Sequence, residues 1–355
     1  MPNGKNDMRK RRILAAWRTR ACAAGLCVGA QIFLAGCAVG MPLALSSAWL
    51  AAVPALPFSA WLAVRCHRAL MLPASRWTRT RCLMLLTAML GCAAFSLASL
   101  TGFAAQTLTQ QARTLWIEAT ALLAVVLCAC SGGTGAARLC FALRYALPAL
   151  VLGLSLADLP LRMPAGLFPL LGAGFMPLGL AAVSMLFGAA PALMLMLPPP
   201  ELDEIPWSPQ DVPDARFFLW RVLPGAVVGV CVLFLTSACT TYESIAQTLE
   251  WGARLRMAAG NQPHEGMIQM LLTLSKLMAM LLLSVNMLCC AVQALGIAFP
   301  RLSGRYAGPA VCAALLGSVL LVQILYCDSP LLTGAPLIAV LALAAALPAG
   351  RRPHA

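Results

Sequence analysis

Apolar residues run along this chain in blocks of about 20, the length that crosses a bilayer as a helix, with the polar residues gathered between them. From Ala21 to Val64 there is no Asp, Glu, Lys or Arg, and comparable stretches recur to the C-terminus. The first stretch alone is long enough for two crossings. Backbone amides cannot go unpaired in hydrocarbon, so runs of this length form helices. Cutting at charges, prolines and polar clusters predicts ten spans, at 21–43, 46–64, 82–108, 115–130, 139–157, 166–197, 222–241, 267–292, 308–326 and 331–347.

Composition makes the bilayer the solvent for most of the chain. Its 355 residues are 61% hydrophobic and 10% charged, with a mean hydropathy of +0.84, which leaves too little polar surface to cover a water-soluble domain. The net charge of +13 lies in short basic runs between apolar segments, the pattern of a topology signal, and nucleic acid is not expected as a partner. With the N-terminus placed inside, alternate connections carry 20 Lys and Arg on the inner side and four on the outer: Arg113, Arg162, Arg254 and Arg256. Both termini are therefore expected in the cytoplasm. The organisation is a basic cytoplasmic segment at 1–20, one transmembrane domain at 21–347 and a short cytoplasmic tail at 348–355. The basic start resembles a signal peptide, but the apolar run behind it is too long and is read as a retained first helix.

Fifteen cysteines suggest a metal or disulfide framework until their places are seen. Most lie inside apolar runs, where Cys behaves as a small hydrophobe, and no adjacent His completes a ligand set. No metal and no cofactor is expected. Ser131-Gly-Gly-Thr-Gly135 has neither the Lys-Ser/Thr nor the strand of a phosphate loop, and no paired carboxylates, HExxH or Gly-x-Ser-x-Gly appear, so the chain reads as a non-enzyme. Two connections are more than turns. Residues 198–221 carry Glu201, Asp203, Glu204, Asp211 and Asp214 among prolines, predicting an extended acidic segment. Thr240 and Glu243 have capping-box spacing ahead of an amphipathic pattern, predicting a helix along the outer face.

Two segments look broken. The first span contains Gly36-Cys37-Ala38-Val39-Gly40-Met41-Pro42; glycines four apart followed by proline either unwind a helix and free backbone groups or form a close-packing seam. The sixth opens with Pro169, Gly172, Gly174, Pro177 and Gly179, then runs smoothly from Phe187 to Leu197. Breaks five spans apart are what a five-plus-five inverted repeat places around one central site. Lys276 is the one strongly basic residue deep within a span, roughly 14 Å from its outer end at 1.5 Å per residue. Such a charge marks function by default, although its stem can also snorkel or its ammonium satisfy freed carbonyls. Asn286 with Ser284 reads as interhelical hydrogen bonding, and Glu118 as reaching the interface.

Gly36 to Pro42 followed by Ala48-Trp49-Leu50, Gly135-Ala-Ala-Arg138 opening the fifth span, and Leu167-Phe-Pro169-Leu-Leu-Gly172-Ala-Gly174 leading to Gly188 and Pro198-Pro199 resemble the GerAB-type spore germination permeases of the amino acid/polyamine/organocation superfamily. The resemblance implies ten helices in the LeuT-like arrangement and a small-ligand pocket at helices one and six. It further implies a nutrient-sensing subunit that works with other germinant-receptor subunits in the spore inner membrane. On this reading Gly36, Cys37, Ala38, Gly40, Gly172, Gly174 and Lys276 hold a small nutrient such as an amino acid, in a cavity between helices one, three, six and eight. A secondary amino-acid transporter of the same fold and a non-transporting membrane scaffold are the alternatives.

Overall fold

A computed structural model of the chain describes residues 3–71, 79–107, 123, 125, 134–158, 174–239, 266–300 and 307–328. Among these, every regular element is helical. Five helices are long and apolar enough to cross a membrane, or six if a bent pair counts as one span. The expected span at 331–347, all of that at 115–130 except Leu123 and Val125, the outer-face helix after Thr240, and Gly172 lie outside the described residues.

The first helix, α1 (Asn3–Ala35), takes in most of the basic segment, so residues 3–20 continue into the bilayer run without a boundary. The expected break is not an unwinding: Gly36–Gly40 wind as a π-helix, in which the Met41 N–H bonds the Gly36 carbonyl. Pro42 explains the change, because it brings no N–H to the turn and its ring crowds the carbonyl four residues back, that of Ala38. A short α2 (Met41–Ala44) follows. The chain then turns at Leu45, the one non-glycine residue with positive φ (53°) among the described residues, into α3 (Ala48–Ala52) and α4 (Ala55–Leu70).

The remaining elements are α5 (Arg79–Thr107), α6 (Thr134–Leu143), α7 (Ala146–Asp158), α8 (Phe175–Met185), α9 (Ala215–Cys239), α10 (Gly266–Ala298) and α11 (Ala307–Asp328). The fifth span begins earlier than expected and bends by 50° between α6 and α7. Pro148 is the cause, since it cannot donate to the Arg144 carbonyl at the bend. Nor is the end of the sixth span smooth: after α8 the chain narrows to a 3-10 helix over Leu186–Met196 with Pro191 inside it. A Cβ on Gly188 in that stretch would stand 2.7 Å from the Ile32 side chain, so α1 and the 3-10 helix touch nearly backbone to backbone.

Helix α1 is the hub, packing on α9, the 3-10 helix, α6, α10 and α5, while α10 lies chiefly along α5. The acidic connection is more folded than expected. Pro200–Leu202 and Pro209–Asp211 form 3-10 turns and bury Leu202 and Val212. Trp17 of α1, fully buried, meets Trp207 of that connection and Phe218 of α9 edge-on at 6.2 and 5.5 Å. Arg9 bonds the Pro206 carbonyl and pairs with Asp211 at 3.4 Å.

Candidate functional site

Two glycine pairs set how closely α1 and α9 approach. A Cβ on Gly29 would stand 2.5 Å from the Gly225 carbonyl oxygen, and one on Gly229 the same distance from the Gly29 oxygen. Gly25 faces the Arg221 and Gly225 backbone in the same manner. This is small-xxx-small packing on both helices, the arrangement by which apolar helices gain contact in lipid, where no hydrophobic force draws them together.

Beside this seam a cavity of about 70 Å³ opens between α1, α7, α9 and α10. Phe33, Val151, Val232 and Met280 give it an apolar wall, and Lys276 of α10 is the one charged residue among the described residues that line it. Lys276 is 5% exposed, and its Nζ stands 5.1 Å from the centroid of the Phe33 ring. The ring face attracts the ammonium, offsetting part of the cost of its burial. What such a place can do chemically is hold a small anionic group: a fixed positive charge amid apolar walls is strong because little water screens it.

The structure brings some expected site residues together and separates others. Gly36, Cys37, Ala38 and Gly40 are buried in the π turn and do not line the cavity, although Cys37 is within electrostatic reach of Lys276. The cavity lies between α1, α7, α9 and α10, while the opening of the sixth span, on which the expected pocket between helices one, three, six and eight draws, lies outside the described residues. A Cβ on Gly36 would press into Leu233, and one on Gly40 would meet Ala48 and the Met185 sulfur at 3.3 Å. Gly174 precedes α8 with φ +83° and ψ 171°, a conformation open essentially to glycine alone. Helix α8 then packs against the π turn, so the irregular segments of spans one and six are neighbours.

Gln31 was not singled out from the sequence, yet it is fully buried and neither of its amide atoms has a hydrogen-bond partner among the described residues. It is the single polar side chain, cysteines aside, between Ala21 and Leu45, a signal that was there to be read. At about 100° per residue it shares a face of α1 with Arg20 and Cys27 and points away from Phe33.

No protein-family model matches the chain, and no curated protein does. Solved structures do. Two mutants of the manganese transporter of Eremococcus coleocola are similar to it with TM-scores of 0.56 and 0.57 at 13% identity, each over 98% of this chain and 76% of theirs. The same transporter in complex with an aromatic bis-isothiourea substituted compound gives 0.52 at 14% identity, over 94% and 75%. The chain has a membrane-transporter fold. This transporter-fold protein is thus a multi-pass membrane protein whose buried lysine stands in a cavity beside the glycine seam of α1 and α9.

Proposed function

We propose that this transporter-fold protein binds a small nutrient bearing a carboxylate, an amino acid, at Lys276, and that it serves as the permease-like subunit of a germinant receptor in the spore inner membrane. The observation that carries the reading is Lys276 itself, a buried ammonium on an aromatic face in an apolar cavity. The cavity is about half the roughly 150 Å³ that accommodates benzene in an engineered protein site. Binding an amino acid therefore requires the walls to separate, as a gated site does, with differential affinity between its states. The germinant-receptor part rests on the resemblance around Gly36, Leu167 and Gly174.

The orientation belongs to the same proposal. Arg9, Arg18, His67, Arg144 and Arg221 come from segments assigned to the inner side and gather at one end of the bundle: Arg9 bonds the Pro206 carbonyl, His67 lies against the Phe218 ring, Arg18 and Arg144 stand over Phe141, and Arg221 stands over Phe217. That end faces the cytoplasm.

Secondary transport is the second reading, favoured by the fold shared with a transporter. Manganese is not carried over to this chain. The charged group in its cavity is a cation, which repels a divalent ion, and no three His, Cys, Asp or Glu converge among the described residues.

Purified protein screened against the amino acids for a rise in Tm tests the binding. No rise with any of them would overturn it. Uptake of the stabilising amino acid into reconstituted vesicles would assign transport; binding without uptake supports the receptor subunit.

A further inference from the structure

A second, larger cavity of about 390 Å³ lies at the basic end of the bundle. Three arginines from three elements converge on it: Arg18 of α1, Arg144 at the bend between α6 and α7, and Arg221 of α9. Arg18 and Arg144 stand over the same ring, Phe141, at 5.5 and 4.0 Å, and Arg221 is within electrostatic reach of Arg18. Among the described residues none of the three forms an ion pair. Arg144 and Arg221 each spend one N–H on a carbonyl of their own turn, Phe141 at 2.6 Å and Phe217 at 2.8 Å. The Arg144 Nε is buried with no hydrogen-bond partner among the described residues. Like charges gathered around a cavity repel one another, and an anion between them removes that cost.

The surroundings say which anion. Trp220 and Tyr145, each 72% exposed, stand at the mouth as amphipathic rings do at the level of lipid headgroups. The floor is apolar: Leu26, Pro148, Gly225 and Val228 line both this cavity and the one that holds Lys276. A basic mouth that opens onto an apolar groove between α1, α7 and α9 fits a molecule with a phosphate at one end and a hydrocarbon chain at the other. Guanidinium groups bind phosphate through paired N–H donors, and basic pockets between transmembrane helices on the cytoplasmic side are suited to anionic headgroups.

We propose that Arg18, Arg144 and Arg221 form a binding site for the phosphodiester of an anionic phospholipid, with one acyl chain lying in the groove between α1, α7 and α9. The site rests on the cytoplasmic orientation proposed above but not on what Lys276 binds, although the two cavities share Leu26, Pro148, Gly225 and Val228.

The test uses the full chain in detergent, titrated separately with phosphatidylglycerol, phosphatidylcholine and inorganic phosphate. Retained lipid is read by native mass spectrometry and stabilisation by Tm. Phosphatidylglycerol is expected to be retained and to raise Tm where phosphatidylcholine does not. Arg18→Gln and Arg144→Gln should each weaken retention roughly fivefold. The exposed pair Arg11→Gln with Arg12→Gln, on the N-terminal turns of α1, should leave it unchanged. Equal retention of phosphatidylcholine, or equal loss in the Arg11 and Arg12 variant, would overturn the site. An equal rise in Tm with inorganic phosphate would make it a soluble-anion site and overturn the lipid assignment. Arg18 is exposed, so its variant reports binding without disturbing the core.

Discussion

Arg20 and Gln293 are 273 positions apart in the chain and joined by a 2.7 Å hydrogen bond, the guanidinium Nη2 donating to the amide oxygen. The Gln293 amide nitrogen in turn donates to the Pro198 carbonyl at 2.7 Å. One side chain thus ties α1, α10 and the end of the sixth span together. Arg20 is only 3% exposed, so Gln293→Leu would leave a buried charge without this acceptor. The expected loss is about 1.5 to 3 kcal/mol, the range for hydrogen bonds to charged groups, read as a lower unfolding temperature in detergent. Gln293→Glu, which keeps the acceptor, should retain most of the stability.

Lys276→Met keeps an apolar stem and removes the charge. If the ammonium holds a carboxylate, the variant inserts normally and no longer gains stability from the amino acid that stabilises the wild type. A normal ligand response together with a gain of about 2.5 to 3.5 kcal/mol, the insertion-scale cost of an intramembrane charge, would remove Lys276 from the site.

Glycine substitutions separate close approach from backbone conformation. Gly29→Ala pushes α1 away from the Gly225 carbonyl and is expected to cost about 1 to 3 kcal/mol, as overpacking does. Gly174→Ala has open space among the described residues, the nearest of their atoms being Pro177 Cδ at 4.0 Å, yet its positive φ makes it unfavourable by roughly 1 kcal/mol or more. Gly91, in α5 with nothing among the described residues within 4 Å of a would-be Cβ, should accept Ala with no loss, since Ala is the better helix former. Thermal unfolding of the three variants checks the order.

Docking of the N-terminal turns onto the acidic connection should depend on pH through Asp211. The Ser208 backbone N–H, 2.8 Å from its Oδ2, holds the Asp211 carboxyl below its ordinary value of 3.8. The Ser208 hydroxyl and the charges of Arg9 and Lys10 add to this, against an opposing effect of burial. A depressed carboxyl pKa contributes stability that is present above the ordinary value and is lost as pH falls through the depressed one. Hydrogen exchange along residues 6–17 should therefore accelerate only at acid pH, and Asp211→Asn should flatten that dependence.

Topology has its own check. A reporter fused after Arg352 should be active on the cytoplasmic side only; activity confined to the outer side would reverse the orientation read from the 20-to-4 charge asymmetry.

What the sequence made legible follows from what lipid demands of it. Long uncharged runs could only be helices, and Lys276 stood out because a charge inside one of them is expensive. The glycine-proline stretches of spans one and six were visible as irregular, and the structure sets the π turn against α8. The cavity's position was not legible. It depends on Gly25 and Gly29 meeting Gly225 and Gly229, a pairing between segments 200 residues apart that no local pattern announces. Phe33 and Gln31 differ only in which way α1 is turned, and that rotation is fixed by partners the sequence does not name.

The π turn has one more effect. It spends five residues where an α-helix completes the same turn with about four, so every side chain beyond it is rotated backward relative to an uninterrupted helix. Gly36 and Gly40, four apart and nominally on one stripe, consequently address different neighbours, Leu233 on one side and Ala48 with Met185 on the other. One residue of slack thus lets a single continuous rod engage two partners at different azimuths, and sliding that slack along the rod would re-aim its far end without breaking it.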